Sequence, residues 1–177
     1  MTHKGLLALG TLAILVAAPA YSGNAIDDAC PDEGGSAYIV DTAAEALTVA
    51  NDYHRPDCRL IIRTSLDRSS ITDSTLRVTA KSITIEGPLE ITHPLVDSRI
   101  VLTAVAGDVV ISNARLSARK EVWIECRSPA TCTVSVHKSA QVNAARAIRI
   151  LSRGSSAVED AKLLSAELDV QRGVARP

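Results

Sequence analysis

Trp123 is the single tryptophan of a 177-residue chain that contains no phenylalanine. It stands between Val122 and Ile124 in an alternating stretch, so a strand that buries those two residues turns the indole outward. An outward indole can stack on a sugar ring, and a large apolar ring on a solvent face needs a cover or a partner. Glu125 shares the outward side two residues on. Arg149, in the alternating stretch Ile148-Arg149-Ile150, offers a cation on a nearby rung for hydroxyls or acidic groups. Trp123, Glu125 and Arg149 are therefore the candidate ligand-binding residues, with a polysaccharide or other cell-surface molecule as the partner. The plainer alternative covers Trp123 with the loop between Cys126 and Cys132 and leaves it filling space.

Catalysis has less to stand on. Glycoside hydrolysis needs an acid and a base or nucleophile at a set separation. The acids that could serve are Glu86, Glu90, Glu121 and Glu125, and nothing in their spacing selects a pair. No Gly-x-Ser-x-Gly elbow, P-loop or Gly-x-Gly-x-x-Gly occurs. No catalytic residue, cofactor or metal is assigned. The four cysteines, Cys30, Cys58, Cys126 and Cys132, could be split between zinc and disulfides. The absence of C-x-x-C and the scatter of His54, His93 and His137 disfavour zinc. An even count in an exported chain favours disulfides, read here as Cys30–Cys58 and Cys126–Cys132. A formal net charge of -1 gives no electrostatic case for nucleic acid. Arg115, Arg119, Lys120, Arg146, Arg149 and Arg153 are read as a solvated face.

The elements that must position these residues are mostly short strands. Ala37-Tyr38-Ile39-Val40 reads as a strand. Thr42 and Glu45 have the spacing of a capping box, and a helix of about ten residues follows, with Ala43, Ala46, Leu47 and Ala50 on one face. Tyr53 to Asp57 reads as a loop, and Leu60-Ile61-Ile62 as a strand. Beyond it a unit recurs: an aliphatic residue, a polar residue and Ala, followed by an alternating pair. Its copies begin at Val78, Leu102, Leu116, Val142 and Leu164, with spacings of 24, 14, 26 and 22 residues. Most of these suit one coil of a β-solenoid; the 14-residue step is either a second strand within one coil or chance. The expected fold is all-β, a short right-handed parallel β-helix with an N-terminal capping helix. A β-sandwich is the alternative, disfavoured because Asn-Gly and Asp-Gly hairpin turns are missing. Inward Ile83, Val109, Val122 and Ile148 would place Thr84, Val110, Trp123 and Arg149 in one outward column and Glu86, Ser112, Glu125 and Leu151 in the next. Residues 157–170 fit a helix or a strand, and the repeat favours a strand. A strand there leaves an edge open to self-association.

Tyr38 to Gly87 resembles the right-handed parallel β-helix proteins of the pectate-lyase-like superfamily. The likeness rests on Tyr38-Ile39-Val40, the helix Ala43 to Ala50, Leu60-Ile61-Ile62 and the run Leu76 to Gly87 with Ile83-Thr84-Ile85-Glu86-Gly87. It implies a helix-capped first coil and a parallel β-helix. It does not imply catalysis: where those lyases carry Trp-Ile-Asp-His, this chain has Trp123-Ile124-Glu125-Cys126.

Residues 1–22 read as a signal peptide, with an uncharged run from Leu6 to Ala18 followed by small residues. Residues 23–177 then form a single β-helix domain, secreted or periplasmic, with no membrane span once the signal is removed. The expected function is a non-catalytic structural or surface-binding module. A carbohydrate-active enzyme, or a fragment of one, is the alternative.

Overall fold

A computed structural model describes residues 37–50, 53–67, 73–128 and 131–172. The expected export signal and Cys30 lie outside these residues. The described residues wind into a parallel β-solenoid of about 5 turns, with a single short helix among them near the N-terminal end. The strands are β1 (Ala37–Val40), β2 (Tyr53–Ile62), β3 (Leu66–Asp67), β4 (Thr75–His93), β5 (Arg99–Ala104), β6 (Val109–Ala118), β7 (Glu121–Cys126), β8 (Val134–His137), β9 (Gln141–Ala144), β10 (Ala147–Ser152), β11 (Ser156–Val158), β12 (Lys162–Leu164) and β13 (Glu167–Arg172). The helix, α1, spans Ala43–Ala50.

Register divides the coils into three faces. The first stacks the start of β2, the start of β4, then β5, β7, β10 and β13. The second stacks β1, the end of β2, the middle of β4, the start of β6, then β8 and β11. The third stacks β3, the ends of β4 and β6, then β9 and β12. Stacking in parallel register puts each inward side chain on its counterpart one rung away, about 4.8 Å off. Thin aliphatic residues fill such an interior without gaps. Val78, Leu102, Ile124 and Ile150 line the first face; Leu60, Ile83, Val109 and Val134 the second; Leu66, Ile91, Leu116 and Val142 the third. All are fully buried.

The sequence repeat is explained by the same register. Val78 and Leu102 pair on the first face, whereas Leu116 and Val142 pair on the third. The 14-residue step is therefore a second strand within one coil. In the last copy the inward residue is Leu163, paired with Val142, and not Leu164, which pairs with Asn143 and is exposed. Residues 157–170 form the strands β11, β12 and the start of β13 with short turns between them, and not a helix.

Each corner has its own chemistry. Between the second and third faces the chain turns through left-handed residues in successive coils: Gly87 (φ 110), Asn113 (φ 50), Lys138 (φ 54) with Ser139 (φ 61), and Asp160 (φ 50). This is the region of φ that lets an extended chain bend sharply, at a steric cost that glycine escapes. Between the third and first faces, buried Ser98 donates to the His93 carbonyl at 2.6 Å and accepts the Arg119 amide at 2.8 Å. Between the first and second faces the coils come close together at Gly154. There the Gly154 amide donates to the Cys132 carbonyl at 3.1 Å, and an added Cβ would lie 2.7 Å from that oxygen. Cys132 is itself bonded to Cys126, so this corner has little room to give. Gly154→Ala is expected to cost roughly 1–3 kcal/mol, read as a lower urea midpoint; an unchanged midpoint would show that the corner can relax.

The N-terminal end is capped. Thr42 Oγ1 accepts the Glu45 amide at 3.3 Å, while Glu45 Oε2 accepts the Thr42 amide at 2.9 Å. The box forms as expected, and its bonds to Thr42 hold the Glu45 carboxyl below its usual range. The helix is shorter than expected, at 8 residues. Its buried face is Ala46, Val49 and Ala50, while Leu47 is 40% exposed: the supposed face was rotated, because the helix axis is set by the coil beneath it. Tyr53 to Asp57, expected as a loop, belongs to β2. Tyr53, His54 and Arg55 pair with Val78, Thr79 and Ala80, and Pro56 sits within a register shift where its missing N–H costs no ladder bond. At the other end, Leu168 and Val170 hold inward register with Ile148 and Ile150, yet are 54% and 36% exposed, since no further described coil stacks on them. Cys126–Cys132 is a disulfide. Cys58 is not free, and its expected partner Cys30 lies outside the described residues.

Candidate functional site

The first face carries three outward columns. The central one runs Arg77, Val101, Trp123, Arg149, Asp169. Beside it runs His54, Thr79, Thr103, Glu125, Leu151, Gln171. On its other side are Thr75, Arg99, Glu121, Ala147 and Glu167. A groove of about 600 Å³ lies over the earlier rungs of this face. Its wall includes His54, Arg77, Val101, Thr103, Trp123 and Arg127.

Trp123, Glu125 and Arg149, expected to be neighbours, share this face. Val122 and Ile124 are buried beneath it and Trp123 is half-buried above them. The Arg149 guanidinium lies over the indole, its Cζ 5.1 Å from the ring centroid, a distance at which a cation is attracted by the ring quadrupole. Glu125 is only 5% exposed. It accepts the Thr103 hydroxyl at 2.8 Å and pairs with Arg127, so its carboxylate is already engaged in holding the groove wall.

The single outward column expected to join Thr84 and Val110 to Trp123 and Arg149 is two columns. Thr84 and Val110 stack on the second face with Ser135, as do Glu86 and Ser112 with His137. Glu125 and Leu151 belong to the first face. The reason is again the two-strand coil: a repeat read at one phase merges faces that the corners separate. The carboxylates divide the same way. Glu86 is on the second face and paired with Arg63, Glu90 is on the third with Arg115. Glu121 and Glu125 share a strand of the first face. Four residues of strand separate their backbone positions by about 13 Å, and the Glu125 carboxylate is held by Thr103 and Arg127. Glu121 is also tied up, at 3.2 Å from Arg99 and 4.0 Å from Arg146. The basic residues that could have formed one patch are scattered in the same manner, Arg115 pairing with Glu90 and Lys120 with Asp97.

Arg77, Val101 and Thr103 were not among the residues singled out from the sequence. The signal for them was present: aligning Val78-Thr79-Ala80 with Leu102-Thr103-Ala104 and then with Ile124-Glu125-Cys126 puts Arg77 and Val101 in the column of Trp123. Among the described residues there is no cluster of His, Cys, Asp and Glu able to hold a metal ion. No helix among them is long and apolar enough to cross a membrane.

Fold and groove together define a short, helix-capped parallel β-solenoid with an aromatic and arginine-lined groove on one face. No protein-family model matches the chain, and neither the curated proteins nor the solved structures offer a significant match.

Proposed function

We propose that this protein is a non-catalytic β-helix module, secreted or periplasmic, that binds a saccharide in the groove over its first face. The observation that carries the reading is Trp123 in the wall of that groove, with Val101 beside it in the same column and arginines around it. A ring with an apolar face and hydroxyl edges needs this combination of a flat apolar surface and hydrogen-bonding neighbours. Export is supported by the apolar run of residues 6–18 and by the Cys126–Cys132 disulfide, a bond that persists in oxidising compartments. The likeness of Tyr38 to Gly87 to the pectate-lyase-like superfamily supports kinship in coil architecture and carries no activity with it.

The test is calorimetric titration of the purified protein with a panel of neutral and acidic oligosaccharides, beside Trp123→Ala. The wild type is expected to bind at least one member and the variant none. The variant should remain folded, because Trp123 lies outside the aliphatic core. Wild-type affinity in Trp123→Ala, or no binding by the wild type, would refute the reading.

A further inference from the structure

The central column, whose Arg77, Val101 and Trp123 line the groove and whose Arg149 stands one rung beyond it, has more hydrogen-bond donors than it has acceptors. Trp123 Nε1 and Arg149 Nε are both buried and neither has a bonding partner. Arg77 makes no ion pair among the described residues, in contrast to Arg99 and Arg127, which Glu121 and Glu125 neutralise. Asp169 follows Arg149 in the column but takes its bond from the Gln171 amide at 2.9 Å. The column therefore places an apolar centre, Val101 and the indole, between two arginines of which neither is paired with a carboxylate. They are three rungs apart, about 14 Å between backbone positions. A buried donor left without an acceptor is costly, and a guanidinium meets a planar oxyanion with paired bonds that a hydroxyl cannot match.

From this surplus we infer that the ligand is an anionic saccharide, one whose ring carries an oxyanion substituent, with the ring against Trp123 and Val101 and the charge taken by Arg149 or Arg77. The inference rests on the saccharide reading above and narrows it. A neutral sugar must compete with the Arg149 guanidinium for the indole and leaves the donors unmet. An anionic one recruits the same guanidinium. Carboxylate and sulfate substituents share this chemistry, and the experiment carries an arm for each.

Affinities are measured by calorimetry for three oligosaccharides of equal length: neutral, hexuronate and sulfated. Each is titrated into the wild type, Arg149→Gln, Arg77→Gln and Trp123→Ala, at low and at raised salt. At least one acidic oligosaccharide is expected to bind about tenfold or more tightly than the neutral one, a difference of about 1.4 kcal/mol, and to weaken with salt. Arg149→Gln and Arg77→Gln should each erode that preference by weakening the acidic ligand, and Arg149→Gln should in addition raise the neutral affinity by freeing the indole face; Trp123→Ala should remove binding of all three. Equal affinity for neutral and acidic ligands, or a preference that survives both arginine substitutions, overturns the inference and leaves the saccharide reading standing. Binding of none of the three overturns both. Matching circular dichroism and melting curves for the arginine variants secure the comparison against unfolding.

Discussion

Ile148→Ala is expected to lower the stability of the protein by about 2–5 kcal/mol, the range for truncating a large aliphatic side chain in a closed core. Ile148 is fully buried, with Val122 on one side and Leu168 on the other along the inward column of the first face. Leu168→Ala removes a side chain from the next rung of that column, but from one that is 54% exposed. Its transfer and cavity contributions both shrink, and the cost should stay below about 1 kcal/mol. Urea unfolding of the two variants checks the contrast. Near-equal losses would mean that the last coil is covered, by chain or by a second molecule, and that its exposure does not describe the working protein.

Raising the pH should destabilise the N-terminal coil, chiefly through the buried phenol of Tyr53. Tyr53 is buried, its ring stacked on that of Tyr38 at 5.9 Å with an angle of 8° between the planes. Its hydroxyl has no bonding partner. Burial pushes the phenol up to about 12, against a smaller opposing effect of the Arg55 charge. Because the folded protein holds the proton more tightly than the unfolded chain, the stabilisation is complete below about pH 10 and is lost as the pH rises through about 12. The full loss is at most about 2.7 kcal/mol, from two pKa units. Tyr38, also raised by burial, acts in the same direction. Tyr53→Phe removes an unmet hydroxyl, so it should cost little at neutral pH and should flatten most of the alkaline decline. Urea titrations of both proteins at about pH 9 and about pH 12 measure this. An equally steep decline in Tyr53→Phe would assign the effect to other groups.

Much of the fold was legible in the chain because a solenoid is a local architecture. Each coil repeats a short aliphatic pattern, and inward side chains meet their own counterparts one rung away, so alternation at Ile83, Val109, Val122 and Ile148 identified core positions correctly. The capping box at Thr42 and Glu45 is also local and formed as read. The helix face failed because the orientation of α1 depends on the coil it covers. The Tyr53–Asp57 stretch failed because only pairing with Val78–Ala80 makes it a strand.

Residue types and spacing by themselves determined a parallel β-solenoid with a capping helix, the inward aliphatic columns, and the closeness of Trp123, Glu125 and Arg149. The tertiary structure decided how those columns are distributed. Alternation has a period of two and distinguishes inside from outside, but it carries no record of which face a strand occupies. That is set by corners, by the left-handed residues at Gly87, Asn113, Lys138, Ser139 and Asp160 and by the close contact at Gly154. Once the corners fold, Thr84 and Val110 leave Trp123 for another face, while Val101, a coil away in sequence, comes to stand beside it and Arg77 one rung further along the same column.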